Sequence, residues 1–167
     1  MEMVSVPETS LIAIGRLLLA VGLGAAIGVN RELRGKPAGL RTHSLVALGA
    51  AMLMLIGLAL TSPQDAERFG VASRVLQGLV AGIGFVGGGV ILRREDSNEV
   101  QGLSTAASIW IVASLGVGAG CGLWITSAAT ALFALIILAL GEPIDRLLAS
   151  RRQALPSAPR RNAPPLP

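Results

Sequence analysis

The chain has 167 residues, 52% of them apolar and only 14% charged, with a net charge of +4 and a mean hydropathy of +0.67. A water-soluble domain carries about 25% charged residues, so an ordinary soluble domain is excluded. The pI near 11.0 raises nucleic acid as a partner, but the bases sit in loops flanking apolar segments, without interleaved aromatics; that pattern argues for no nucleic acid and for anionic lipid headgroups.

Five apolar stretches follow in chain order: Leu11–Val29, Ser44–Leu60, Val71–Leu92, Leu103–Gly120 and Leu123–Gly141. A helix needs roughly 20 apolar residues to cross a hydrocarbon core, and a soluble helix of that length would show a polar face at helical period. These show almost none. The predicted fold is therefore an all-α integral membrane protein, a Gly-rich, tightly packed bundle of five transmembrane helices. Residues 1–10 read as an extracytoplasmic N-terminal segment and 11–141 as the membrane domain. Residues 142–153 read as a cytoplasmic surface helix with Ile144, Leu147 and Leu148 toward lipid, and the proline- and arginine-rich 154–167 as a disordered tail.

Lys and Arg give an orientation. Arg31, Arg34, Lys36 and Arg41 flank the first connection, Arg93 and Arg94 the third, and five arginines follow the last span, while the second connection holds only Arg68. The positive-inside rule then places the N-terminus outside and the C-terminus in the cytoplasm. With no basic leader and no small-residue cleavage site, the first span does not read as a removed signal peptide.

The third stretch contains Gly82-Ile83-Gly84-Phe85-Val86-Gly87, a literal G-x-G-x-x-G. A dinucleotide turn needs a preceding strand, an amphipathic helix and a later acid, and here an apolar run ends at Arg93 instead. The glycines read as packing residues. Gly24/Gly28, Gly78/Gly82, Gly84/Gly88, Gly116/Gly120 and Gly118/Gly122 are each four apart, a spacing that lets backbones approach closely. Gly87 belongs to the same set. Arg74, Gln77, Ala81, Gly84 and Gly88 form one stripe, with Val75, Leu79, Val86 and Val90 off it. The expectation is a central third helix with this polar, small stripe turned inward. A weak repeat relates Arg31-Glu32…Gly39-Leu40-Arg41-Thr42 to Arg94-Glu95…Gly102-Leu103-Ser104-Thr105.

Chemistry is sparse. No acid lies inside the five stretches, which argues against a carboxylate-lined path for Mg²⁺. For Arg16 snorkelling is the first of two readings, the other being a partner inside the bundle or on another protein. The same explanation competes, for Arg74, with pairing inside the bundle or against another protein, and Gln77 is expected to bond across helices. The first connection could be a solvated, topology-setting loop or a shaped site in which Glu32 pairs with Lys36 or an arginine and Thr42 caps the second span. His43 has no neighbouring histidine or cysteine for a metal. Ser104 and Thr105 read as caps of the fourth helix, Trp110 as a packing residue within it, and Cys121, being alone, can form no intrachain disulfide.

The segments "GKPAGLRTHSLVALGA" (35–50), "RVLQGLVAGIGFVGGGVILRR" (74–94) and "GLSTAASIWIVASLGVGAG" (102–120) together resemble the membrane domain of the MgtC/SapB family, over roughly residues 15–140. The resemblance implies a multi-pass protein of the bacterial inner membrane, associated with magnesium limitation and, in some pathogens, with survival in host cells. It carries over Glu32, Lys36, Gly39, Arg41, Thr42 and His43 in the first loop. It also carries over Arg74, Gln77, Gly78, Gly82, Gly84, Phe85 and Gly87 in the third span, and Gly102, Thr105 and Trp110 in the fourth. Asn30 stands where an acid is common and Ala81 where serine is usual, and a Pro/Arg tail replaces the ACT-like domain of longer members. Two functions are expected. The first is a non-enzymatic regulator in magnesium homeostasis, acting on another membrane complex such as an ATP synthase or a cation transporter. The alternative is a small transporter or channel for Mg²⁺ or another cation. No cofactor is expected beyond Mg²⁺ as ligand or cargo; the partners are the lipid bilayer, another copy of the chain in a homo-oligomer, or such a complex.

Overall fold

The computed structural model describes residues 8–60, 68–93 and 100–153. Five helices make up almost all of it: α1 (Glu8–Leu33), α2 (Leu40–Ala59), α3 (Arg68–Gly89), α4 (Leu103–Gly120) and α5 (Trp124–Gln153). All five are long and apolar enough to cross a membrane. Two-residue strands, β1 (Leu92–Arg93) and β2 (Val100–Gln101), pair antiparallel across the connection from α3 to α4. The tail at 154–167, most of the segment 1–10 and the Arg94-Glu95 pair of the repeat lie outside the described residues.

Glycine sets two of the turns. After α1, the Lys36 amide reaches back to the Arg31 carbonyl at 3.1 Å and the Gly35 amide to that of Glu32 at 2.9 Å, with Gly35 left-handed at φ 63°. The same pair of bonds closes α4, from Leu123 to Gly118 (2.8 Å) and from Gly122 to Ala119 (2.9 Å), with Gly122 at φ 79°. Both are helix ends that an L side chain at the glycine would strain. Beyond Gly122, α5 runs unbroken through Pro143 to Gln153.

The core is a three-helix unit of α1, α2 and α4, with α3 against α2 and α4 and α5 against α1 and α4. Backbones meet here because side chains are missing. A Cβ on Gly24 would stand 2.7 Å from the His43 carbonyl oxygen, one on Gly28 2.7 Å from the Leu40 Cα, and one on Gly120 2.8 Å from the Ala51 oxygen. One on Gly116 would fall onto the Ala47 carbonyl. Ala20, Ala47, Ala51 and Ala119 fill the remaining space, with Ile27, Val112 and Leu115 as the large side chains of the seam.

The expectation of a central third helix is corrected. Val71, Val75, Leu79 and Ile83 face α2 and α4, and Val75 enters the gap left by Gly57, where its Cγ2 is 2.8 Å from a Cβ position. Arg74, Gln77, Ala81, Gly84 and Gly88 therefore lie on the outer side, exposed. Beside Gly78, Gly82, Gly84 and Gly88 a Cβ would meet nothing within 4 Å; only Gly87 turns inward, toward the Ala106 methyl at 3.6 Å. The physical reason is packing density: valine and leucine fill the space beside α2 and α4, where a glycine face would leave voids.

Candidate functional site

Two arginines of α1 hold α4 at both ends. Arg16 Nη1 donates to the Gly120 carbonyl at 2.8 Å, so its guanidinium lies at the C-terminal end of α4, where the helix dipole favours a cation. Snorkelling does not describe it: the side chain is spent on a helix end, and a Cβ on Gly122 would come within 3.0 Å of its Nη2. The same guanidinium and burial act in opposite senses on Cys121. Burial pushes its thiol up, and Arg16 offsets part of that, which leaves a poorly reactive cysteine.

At the other end Arg31, only 2% exposed, donates through Nη2 to Thr105 Oγ1 at 2.6 Å and through Nη1 to Ser104 Oγ at 3.3 Å. Ser104 and Thr105 thus accept from α1, and the N-cap position of α4 belongs to Gly102; the expected capping role is corrected. A guanidinium at a helix N-terminus opposes the dipole, and charge-assisted bonds to the two hydroxyls help to hold it there.

His43 joins this knot and is wholly buried. Its Nδ1 is 2.9 Å from the Gly39 carbonyl, which can only accept, so Nδ1 carries the proton. Nε2 is 3.0 Å from Ser108 Oγ, which also lies 2.8 Å from the Thr105 carbonyl. The chain Gly39–His43–Ser108–Thr105–Arg31 ties α2, α4 and α1 together through groups that would be costly to bury alone.

The first connection forms a shaped cavity of about 340 Å³ lined by Glu32, Lys36, Pro37, Gly39, Leu40, Arg41 and Thr42. Glu32 Oε2 accepts from the Leu40 amide at 2.9 Å. The carboxylate from α1 therefore caps α2, correcting the expected cap by Thr42, which stands within the first turn of the helix. Gly39 is pressed on the same carboxylate: a Cβ there would be 2.7 Å from Oε2.

The remaining candidates are scattered. Arg74 lies back along α3 over Gly70, its Nη2 4.0 Å from the Cβ position there. Gln77 bonds within its own helix, to Ser73 Oγ at 3.2 Å, rather than across to another, since no helix among the described residues stands opposite it. Trp110 is 45% exposed and walls a groove of about 280 Å³ between α3 and α4, with Leu76, Leu79, Val80 and Ile83 across from it. No group of three His, Cys, Asp or Glu able to hold a metal ion occurs among the described residues.

The sequence reading took Arg31 for a loop cation and missed Ser108 and the proline joint of α5. Pro143 has no amide hydrogen, so the Ala139 carbonyl one turn earlier loses its helical donor. Arg34 Nη2 supplies one at 3.3 Å from the first connection. Arg34→Gln should cost about 1 kcal/mol of unfolding free energy in detergent, and less in a Pro143→Ala background, where the helix restores its own donor. Equal costs in both backgrounds would refute this link.

A family model described as the MgtC family matches residues 17–147. The chain is 39% identical over 157 residues to Protein SrpB of Synechococcus elongatus, covering 84% of this chain and 86% of that protein. It is 41% identical over 140 residues to Protein MgtC of Salmonella typhimurium, covering 84% of this chain and 55% of MgtC. YhiD of Escherichia coli, named as a candidate magnesium transporter, is 40% identical over 111 residues, 65% of this chain and 51% of YhiD. The chain thus spans about half the length of MgtC and YhiD. No solved structure matches it.

Proposed function

The chain belongs to the MgtC family, and from that premise we propose that this multi-pass membrane protein acts in magnesium homeostasis at the bacterial inner membrane. It does so as a non-enzymatic regulator that docks on another membrane complex. The α1–α2 turn and the end of α5 face the cytoplasm in this reading. The magnesium link is supported by the resemblance to YhiD and MgtC. The regulatory reading is supported chiefly by α3. Val71, Val75, Leu79 and Ile83 are spent inside the bundle, while Arg74, Gln77, Gly84 and Gly88 are presented outward together with the exposed Phe69 and Phe85. Polar groups and small-residue stripes in membrane helices are normally turned toward protein, and on this helix the protein opposite comes from another chain.

Because a Cβ at Gly84 meets nothing within the chain, Gly84→Leu should leave folding and insertion intact and abolish capture of the partner complex in crosslinking from native membranes. Retained capture at wild-type level would refute the docking face. The transporter reading draws on the name of YhiD. It predicts saturable Mg²⁺ entry into proteoliposomes carrying the purified chain, whereas the regulator gives no flux above protein-free vesicles.

A further inference from the structure

We infer that the cavity at the α1–α2 turn is a binding site for a phosphate group, carried by the headgroup of an anionic lipid or by free phosphate, with Lys36 and Arg41 as its cationic contacts and Thr42 as a hydroxyl donor. The inference is independent of the α3 face. The cavity of about 340 Å³ opens where two membrane-length helices end together, at Leu33 and Leu40. This is the depth at which lipid phosphates lie, whichever side of the membrane the turn faces.

Its walls are set before any ligand arrives. Two backbone bonds and the left-handed Gly35 fix the path of the chain into Lys36. Ala38, 3% exposed, pins the middle of the turn, and the bond from the Leu40 amide to Glu32 fixes the start of α2, from which Arg41 and Thr42 project. A preformed cavity spares the ordering cost that a mobile basic loop would meet on binding. Arginine's planar fork suits phosphate oxygens, and lysine adds a point charge.

Among the described residues that line the cavity, Lys36 and Arg41 face one carboxylate, Glu32, whose Oε2 accepts the Leu40 amide. The same balance makes the cavity a poor place for Mg²⁺, which takes carboxylates and water in octahedral array.

The test uses the full chain purified in a neutral detergent, in phosphate-free buffer, and follows its thermal unfolding midpoint. Dioctanoylphosphatidylglycerol should raise the midpoint saturably, dioctanoylphosphatidylcholine should not, and the rise should vanish in Lys36→Gln/Arg41→Gln. A rise with inorganic phosphate as large as with the glycerol lipid assigns the site to free phosphate; a rise with the lipid alone assigns it to the headgroup. If the double variant fails to fold, Arg41→Gln, at an exposed position, should by itself weaken the apparent affinity several-fold. The inference is overturned if neither anion shifts the midpoint, if the choline lipid acts equally, or if the rise survives unchanged in the folded variant.

Discussion

Gly116→Ala should destabilise the bundle by about 2–3 kcal/mol or more, the upper part of the range for forcing an extra methyl group into a packed core. Gly84→Ala should leave stability unchanged or raise it by up to about 1 kcal/mol. The two substitutions are chemically identical and both sit in helix interiors, where alanine is intrinsically favoured over glycine by about 1 kcal/mol. Surroundings alone separate them. At Gly116 the new methyl would land on the Ala47 carbonyl, with the Ala50 Cβ at 2.9 Å and the Ala47 carbonyl carbon at 3.0 Å. Backbone cannot swing aside as the tip of a side chain can, so α2 and α4 must separate along their length. At Gly84 there is open space. Denaturant unfolding of both variants in micelles decides the matter, and indistinguishable midpoints would mean that α2 and α4 do not meet as described.

Thr105→Val should cost about 2 kcal/mol, since it strips the buried Arg31 of its 2.6 Å acceptor while keeping the side chain's shape, and hydrogen bonds to charged groups are worth about 1.5–3 kcal/mol. Arg31→Leu should cost at least as much. The double variant should lose less than the two single losses together, by about 1 kcal/mol or more, because with both gone neither the guanidinium nor the Thr105 hydroxyl is left without the other. Strict additivity would show that the guanidinium does not spend its bonds on α4.

The architecture was readable where chemistry repeats along the chain. Five apolar runs gave five helices, and the paired glycines of the first and fourth spans, Gly24, Gly28, Gly116 and Gly120, lie where those helices press on the backbone of α2. Gly78, Gly82, Gly84 and Gly88 follow the same spacing but face outward, because a pattern on one helix states that it has a narrow face and not what lies against that face. The inward valines of α3 carried the missing information: β-branched side chains opposite Gly57 fit a neighbour's groove better than glycine fits anything.

The candidate site was legible in part. His43 and Thr105 were singled out as residues, yet their linkage through Ser108 and Arg31 joins positions 65 and 74 residues apart, beyond any local pattern. A usable signal did exist, since a histidine, a serine and an arginine at the edges of apolar spans must find one another or water. Thr42 was expected to cap α2 and Glu32 to pair with a lysine or arginine, yet Glu32 is the residue that accepts the Leu40 amide, because a carboxylate reaching from the preceding helix is invisible to rules about adjacent residues.

Arg16 and Arg31 stand fifteen residues apart on α1, and their acceptors Gly120 and Thr105 stand fifteen apart on antiparallel α4. Two fasteners at equal separation work like a vernier. One would permit the helices to pivot or slip past each other by a turn, but two lock their axial setting, since any sliding breaks both at once. In any movement of the bundle the α1–α4 pair therefore travels as one beam, while α3 rests on α2 and α4 through apolar side chains.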